Sequence, residues 1–224
     1  MKNKSYRKKT KVIVIGNSNK FIKIIKSIYK NSLIKVYSWR SISSLNLNRE
    51  KLFKNPNLIL ISGYNYKSQW YSYKKYYYSN ISAPLKFIKF LANSNTCILY
   101  LDTINKIFYH PQRRNRNTFS RYEFAKKELG YKLKQSFRNT KILEIAPLTS
   151  INKPLIHGGF LTKMIFSALI NLNLIKTEDI KKLKQKMILK IKSKEKNNPI
   201  NLKPVLLKIP RSLFLDRVLR IIFD

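Results

Sequence analysis

Lys11-Val12-Ile13-Val14-Ile15-Gly16 is the stretch on which the fold turns. Four β-branched residues in succession leave no polar alternation, so a strand here must be buried on both faces, and the glycine after it can turn the chain sharply. The next segment, Lys20 to Lys30, carries apolar residues at 21, 22, 24, 25 and 28, the stripe of an amphipathic helix. The pattern then repeats. Leu33–Trp39, Asn57–Ser62, Thr96–Leu101 and Lys141–Ile145 read as further strands; Ile81–Ala92, Tyr122–Phe137, Phe160–Asn171 and Glu178–Lys192 read as helices. Pro84 suits a first helical turn and Thr177 an N-cap. Apolar strands alternating with helices predict an α/β domain with a parallel sheet covered on both faces.

This domain is expected to span residues 11–192. It is preceded by a basic arm, residues 1–10, and followed by a basic extension, residues 193–224, which holds Pro199, Pro204 and Pro210 and ends in the amphipathic stretch Leu213–Phe223. No internal repeat is present.

The 224 residues include 47 Lys and Arg against 10 Asp and Glu, a formal net charge of +37. Abundant Lys, Asn, Ile, Tyr and Phe are what an AT-rich genome favours, so codon drift explains part of the excess. Yet the charge is spread: residues 1–101 carry 20 bases and the lone acid Glu50, residues 102–224 carry 27 bases and nine acids. A globule so charged repels itself and calls for a polyanionic partner. The apolar share of 44% argues against disorder. No run reaches the roughly 18 apolar residues of a membrane span; the best, Phe160–Ile175, is broken by Lys163, Asn171 and Asn173. The lone Cys97 excludes a disulfide framework, and His110 and His157 lack partners at ligand spacing, so no metal site is expected.

The order of several short motifs carries a resemblance. Gly16 closes the first strand, Ile61-Ser62-Gly63 the third and Asp102-Thr103 the fourth. Asn80-Ile81-Ser82-Ala83-Pro84 opens a helix, Tyr122-Glu123-Phe124-Ala125-Lys126 opens another, and Ala146-Pro147 follows the fifth strand. From about Lys11 to Pro147 the chain resembles the short-chain dehydrogenase/reductase superfamily, including its sugar-nucleotide epimerase branch. The resemblance implies a Rossmann-like fold, an NAD(P) cofactor, Tyr122 as acid/base, Lys126 lowering its pKa and holding the ribose, and Thr103 orienting the substrate. A lysine one helical turn after a tyrosine favours the phenolate.

The departures from that pattern imply that the enzyme is lost and that no cofactor is bound. In Gly16-Asn17-Ser18-Asn19-Lys20-Phe21-Ile22-Lys23 only the first of the phosphate-binding glycines remains, with Asn19 expected to supply a left-handed turn. Trp39-Arg40 stands where an acid would grip the ribose; Arg40 suits a 2′-phosphate, which keeps NADP as the cofactor of an active alternative. Gly16, Arg40, Thr103, Tyr122 and Lys126 are thus expected to be relics.

RNA contacts are expected elsewhere. His110 to Asn117 gathers Arg113, Arg114 and Arg116, with Arg121 close behind, and arginine pairs with phosphate and stacks on bases; the bland alternative is a solvated loop. Tyr71, Tyr73, Tyr76, Tyr77 and Tyr78 interleave with Lys74 and Lys75, as a base-stacking surface would or as a partly buried helix would. Arg7, Lys8 and Lys9 in the N-terminal arm and Lys192, Lys194 and Lys196 toward the other end complete the set. Such arms order on RNA.

Three functions compete. The first is a structural RNA-binding component of a ribonucleoprotein, the mitochondrial ribosome in the matrix, with ribosomal RNA and neighbouring ribosomal proteins as partners. The second is an active NAD(P)-dependent reductase or epimerase from an AT-rich genome. The third is an accessory subunit of a mitochondrial membrane complex, with acidic lipid as the polyanion.

Overall fold

The computed structural model describes residues 9–16, 18–42, 53–65, 67–68, 71–103, 118–145, 148–150, 153–154 and 177–193, with five more residues between 164 and 171. Strands β1 (Lys11–Ile15), β2 (Leu33–Tyr37), β3 (Leu58–Ile61), β4 (Cys97–Thr103) and β5 (Thr140–Ile145) form one sheet in the order β2-β1-β3-β4-β5. Every neighbouring pair is parallel; Ile13 faces Lys35 on one side and Ile59 on the other. Helices α1 (Asn19–Ile28), α2 (Trp39–Ile42), α3 (Tyr73–Tyr77), α4 (Ala83–Leu91), α5 (Thr118–Ser136) and α6 (Ile180–Lys192) cover it. The fold is a Rossmann-like α/β sheet.

The apolar run of β1 divides between two cores. Ile13 and Ile15 point to one face, where Ile59, Ile61 and Tyr100 of the sheet meet Phe87, Ile88 and Leu91 of α4 and Leu129 and Leu133 of α5. Val12 and Val14 point to the other, against Phe21, Ile24 and Ile25 of α1 and Leu183 and Met187 of α6. The four apolar side chains of β1 are fully buried, and each such aliphatic contributes about 1.5–3 kcal/mol. This double burial is why the strand shows no polar alternation.

Several boundaries differ from the sequence reading. Strand β2 ends at Tyr37, and Trp39 opens α2 instead of closing the strand. Asn19 is the first residue of α1 and takes no left-handed turn; among the described non-glycine residues only Asn55 has positive φ. The helix that carries Pro84 starts earlier, since α3 runs through a π-helical turn (Tyr78–Ser82) directly into α4. Pro84 cannot donate a backbone hydrogen bond, so the change of register falls where a bond would be lost anyway. Helix α5 begins at Thr118, not Tyr122. Asp179, not Thr177, caps α6, its carboxylate accepting from the Lys181 amide at 2.6 Å. The expected helix over Phe160–Asn171 lies largely outside the described residues, as do both terminal extensions beyond Lys9 and Ser193.

Beyond β5 a small sheet pairs β6 (Leu148–Ser150) antiparallel with β7 (Lys153–Pro154) and parallel with β8 (Glu178–Asp179). Helix α6 follows β8 and is anchored at its far end by Lys141 of β5. The Lys141 ammonium donates to the Ile191 and Ser193 carbonyls at 2.7 and 2.5 Å, placing a cation on the negative end of the helix dipole. Among the described residues no helix is long and apolar enough to cross a membrane, and no three His, Cys, Asp or Glu side chains gather as a metal site.

Candidate functional site

The strand order reverses between β1 and β3, and in open parallel sheets the crevice at the carboxyl ends of such strands receives ligands. Gly16 lies there, buried, with φ +122°; its amide donates to the Tyr37 carbonyl at 2.9 Å. A Cβ on Gly16 would lie 2.7 Å from Ser62 Oγ and 3.1 Å from the Gly63 nitrogen, so glycine is required by the meeting of the two loops alone. Gly63 is closed off in turn by Trp39. A Cβ on Gly63 would lie 2.2 Å from Trp39 Cε3 and 2.8 Å from Cδ2. The indole is thus turned inward against the glycine, and its Nε1 is buried with no hydrogen-bond partner. Arg40, next along α2, is exposed.

The loop after β3 leads from Gly63 to Tyr64, whose ring meets Tyr122 of α5 edge-on at 4.9 Å. Lys126, one turn further, is 5% exposed; its Nζ donates to the Leu101 carbonyl at 3.1 Å, 5.1 Å from the Tyr100 ring centroid and 6.0 Å from that of Tyr122. Burial lowers its pKa to about 8, against the opposing pull of Asp102. The Tyr100 hydroxyl donates to the Lys126 carbonyl, and burial raises its own pKa well above the usual value. Thr103, the last residue of β4, is paired in register with Ile145. The fold therefore brings Tyr122 and Lys126 together beside the carboxyl end of β4. Lys127 turns to Asp102 at 2.5 Å and to Glu144 at 3.5 Å.

Sequence reading missed a polar cluster beside this site. Asn80 sits in the π-helical turn and is 1% exposed. Its Oδ1 accepts from the Asn65 amide at 2.9 Å, and its Nδ2 donates to Ser68 Oγ at 2.5 Å and the Tyr76 carbonyl at 3.1 Å. The available signal was an asparagine inside a helical segment, which is unfavourable unless its amide has work to do.

The expected RNA-contacting residues fall into three groups. Lys9, Lys74, Lys75 and Lys192 are exposed. Arg121 is half-buried: its Nη1 donates to the Tyr71 carbonyl at 2.8 Å, and its guanidinium lies 5.3 Å from the Tyr76 ring centroid. Arg7, Lys8, Arg113, Arg114, Arg116, Lys194 and Lys196 lie outside the described residues. Of the tyrosines, Tyr76 is fully buried and belongs to the core, its hydroxyl donating to the Arg121 carbonyl and burial pushing its pKa far up. Tyr78 is 49% exposed.

A dinucleotide fits these residues poorly. Its pyrophosphate needs backbone approach at the start of α1, where Ser18 and Asn19 carry side chains and Phe21 is buried in the core. Its adenosine ribose needs an acceptor after β2, where Trp39 is folded under Gly63. The Tyr122 and Lys126 pair keeps the spacing of an acid/base site, while the Lys126 amine is held by a main-chain carbonyl.

No family model matches the sequence, and no curated protein sequence is similar to it. Solved structures do match. A short-chain dehydrogenase/reductase superfamily protein from Agrobacterium tumefaciens with bound NAD is 8% identical, with a TM-score of 0.55, covering 83% of this chain and 75% of its own. An ADP-L-glycero-D-manno-heptose-6-epimerase from Helicobacter pylori is 11% identical, with a TM-score of 0.55, covering 84% and 75%. The Bordetella bronchiseptica enzyme WbmG, in complex with NAD and UDP, is 11% identical, with a TM-score of 0.53, covering 86% and 71%. Likeness at such identities establishes the shared fold.

Proposed function

We propose that this chain is a structural RNA-binding component of a ribonucleoprotein, built on a dehydrogenase/epimerase-like fold whose cofactor crevice has been filled from within. The observation that carries this reading is the sorting of charge. Among the described residues 17 Lys and Arg side chains are exposed, while none of the six Asp and Glu is. The most exposed charge among the described residues is therefore positive, with Glu144 and Glu128 only partly exposed, and a phosphate backbone is the partner that such a surface neutralises by counterion release. The bias toward Lys, Asn, Ile, Tyr and Phe speaks for an AT-rich organellar genome, and so for a mitochondrial ribosome in the matrix as the particle. The domain of residues 11–192 would sit on RNA with its basic ends, residues 1–10 and 193–224, as anchors.

Sedimentation of the native protein at moderate salt tests this. Co-migration with a ribosomal subunit, lost after ribonuclease, is the expected result. A slow peak that ribonuclease does not move overturns it.

A second reading is an NAD(P)-dependent reductase or epimerase. The fold neighbours, two of them NAD-bound, speak for this reading rather than the first, as does the convergence of Tyr122 with Lys126. It requires micromolar NAD(P) affinity, and turnover that Tyr122→Phe abolishes while stability stays unchanged. Calorimetric titration with NAD and NADP decides between the two.

A further inference from the structure

On the RNA-binding reading, we propose that the outer face of α3 and the π-helical turn is a stacking platform for unpaired bases of single-stranded RNA. An open groove of about 750 Å³ runs here, lined by Ser72, Tyr73, Lys74, Lys75, Tyr77 and Tyr78. Its walls are mostly tyrosine ring and lysine stem. Tyr78 is the most exposed of its rings at 49%, and Tyr73 lies 5.9 Å from Tyr77, centroid to centroid. Lys74 and Lys75 are both exposed, and the Lys75 ammonium stands 4.5 Å over the Tyr71 ring. Among the described residues a nearby carboxylate is Glu128, which accepts from the Tyr77 hydroxyl at 3.4 Å and is paired with Lys132 at 3.3 Å, so the groove keeps its positive charge.

The backbone under the groove is fastened from its inner side. Tyr76, against which Tyr73 and Tyr77 pack, is locked into the core by its hydroxyl bond to the Arg121 carbonyl, and Arg121 clamps the Tyr71 carbonyl. Asn80 fastens the π-helical turn to Asn65 and Ser68. A backbone fixed in this way presents the Tyr78 ring at a set position for a base to stack on, and the adjoining ammonium groups reach the phosphates that link the bases. A double helix offers no free base faces to such rings, so the chemistry selects single strands.

Fluorescence anisotropy of the full chain with a labelled single-stranded oligouridine, and with an RNA duplex of equal length, tests the platform. Tyr78→Leu should weaken single-strand binding about tenfold with an unchanged salt slope, leave duplex binding unchanged, and be rescued in Tyr78→Phe. The Lys74→Gln/Lys75→Gln pair should lower the slope of log K against log salt by about 1.4, since each single-strand phosphate contributes about 0.7. If the chain binds RNA but Tyr78→Leu binds the single strand as tightly as the original, the platform is refuted and the RNA-binding reading stands. If the chain binds neither RNA at low salt, both fall. If Tyr78→Leu loses affinity for phosphatidylserine vesicles and not for RNA, the groove is a membrane contact and the proposal is overturned.

Discussion

Gly63→Ala separates a crevice filled by Trp39 from one open to a ligand. The new Cβ would stand 2.2 Å from Trp39 Cε3, against a carbon–carbon contact of about 3.5–4.0 Å, so the indole must retreat by more than an ångström. It has little room, since Trp39 packs in the core face that includes Ile42, Ile61 and Phe87. Overpacking of this kind costs about 1–3 kcal/mol, and a rigid ring in a closed core puts the cost near the upper end. At about 2–4 °C per kcal/mol for a chain of this length, the melting temperature should fall by roughly 6–12 °C. The decisive test is the same change in a Trp39→Leu background. Gly63 has no left-handed φ, so alanine there would ordinarily gain about 0.4–1 kcal/mol by restricting the unfolded chain. The remaining contact, with the Cβ of residue 39 at 3.2 Å, is tight enough to offset much of that gain. The cost should therefore drop to within about 0.5 kcal/mol of zero, a coupling that urea unfolding of the four proteins measures. Equal costs in the two backgrounds would refute the placement of the indole.

Three further perturbations follow from the same packing. Lys126→Met tests burial of the amine. The folded pKa of about 8 lies below the ordinary 10.5, so unfolding takes up a proton between those values and stability should rise with pH across that window, by on the order of 3 kcal/mol. Chemical denaturation at pH 7.5 and 10 should show this gain in the original chain and lose it in the variant. Lys141→Met removes the cation from the end of α6 and should cost about 1–2 kcal/mol, with faster hydrogen exchange at residues 189–193 and not in β1. Asn80→Ala takes the acceptor from the buried Asn65 amide and should cost about 1–3 kcal/mol, while Asn80→Asp, which keeps that acceptor, should restore exchange protection at Asn65.

The centre of the sheet was legible because its inner strands are buried on both faces and so appear as unbroken apolar runs, of which Val12–Ile15 and Leu58–Ile61 are the clearest. Trp39 was misread because an aromatic two positions after Tyr37 falls on the same face of an extended strand, and only contact with Gly63, 24 positions away, reveals where the indole packs. The start of α3 was hidden by its tyrosines, because Tyr76 is core while Tyr78 is surface, and the residue type is the same for both. Tyr122 and Lys126 could be picked out by spacing. What spacing could not supply is the direction of the amine, which depends on the Leu101 carbonyl, or the role of Asn80, which depends on the turn at Asn65 and Ser68.

The acids explain how so cationic a chain folds. Asp102 holds Lys127 inside the domain, Glu178 reaches Lys186 at 2.5 Å, Glu128 pairs with Lys132, and Asp179 caps α6. Loss of Asp102 would leave the buried Lys127 unpaired and loss of Asp179 would leave the start of α6 uncapped, while Glu178 and Glu128 pair with partly exposed lysines. An exposed carboxylate has no such protection: it can be lost without harm to the fold, and beside a phosphate backbone it would repel the partner. Codon drift can raise lysine, but an RNA partner, on the proposed reading, adds a reason for the described acids to sit where they are wholly or partly buried. The same division applies to arginine and tyrosine, for Arg121 and Tyr76 are engaged in packing while Lys74, Lys75 and Tyr78 stay at the surface. The fold thus separates residues that hold the sheet and its helices together from residues left at the surface, and Trp39, packed against Gly63, falls in the first class.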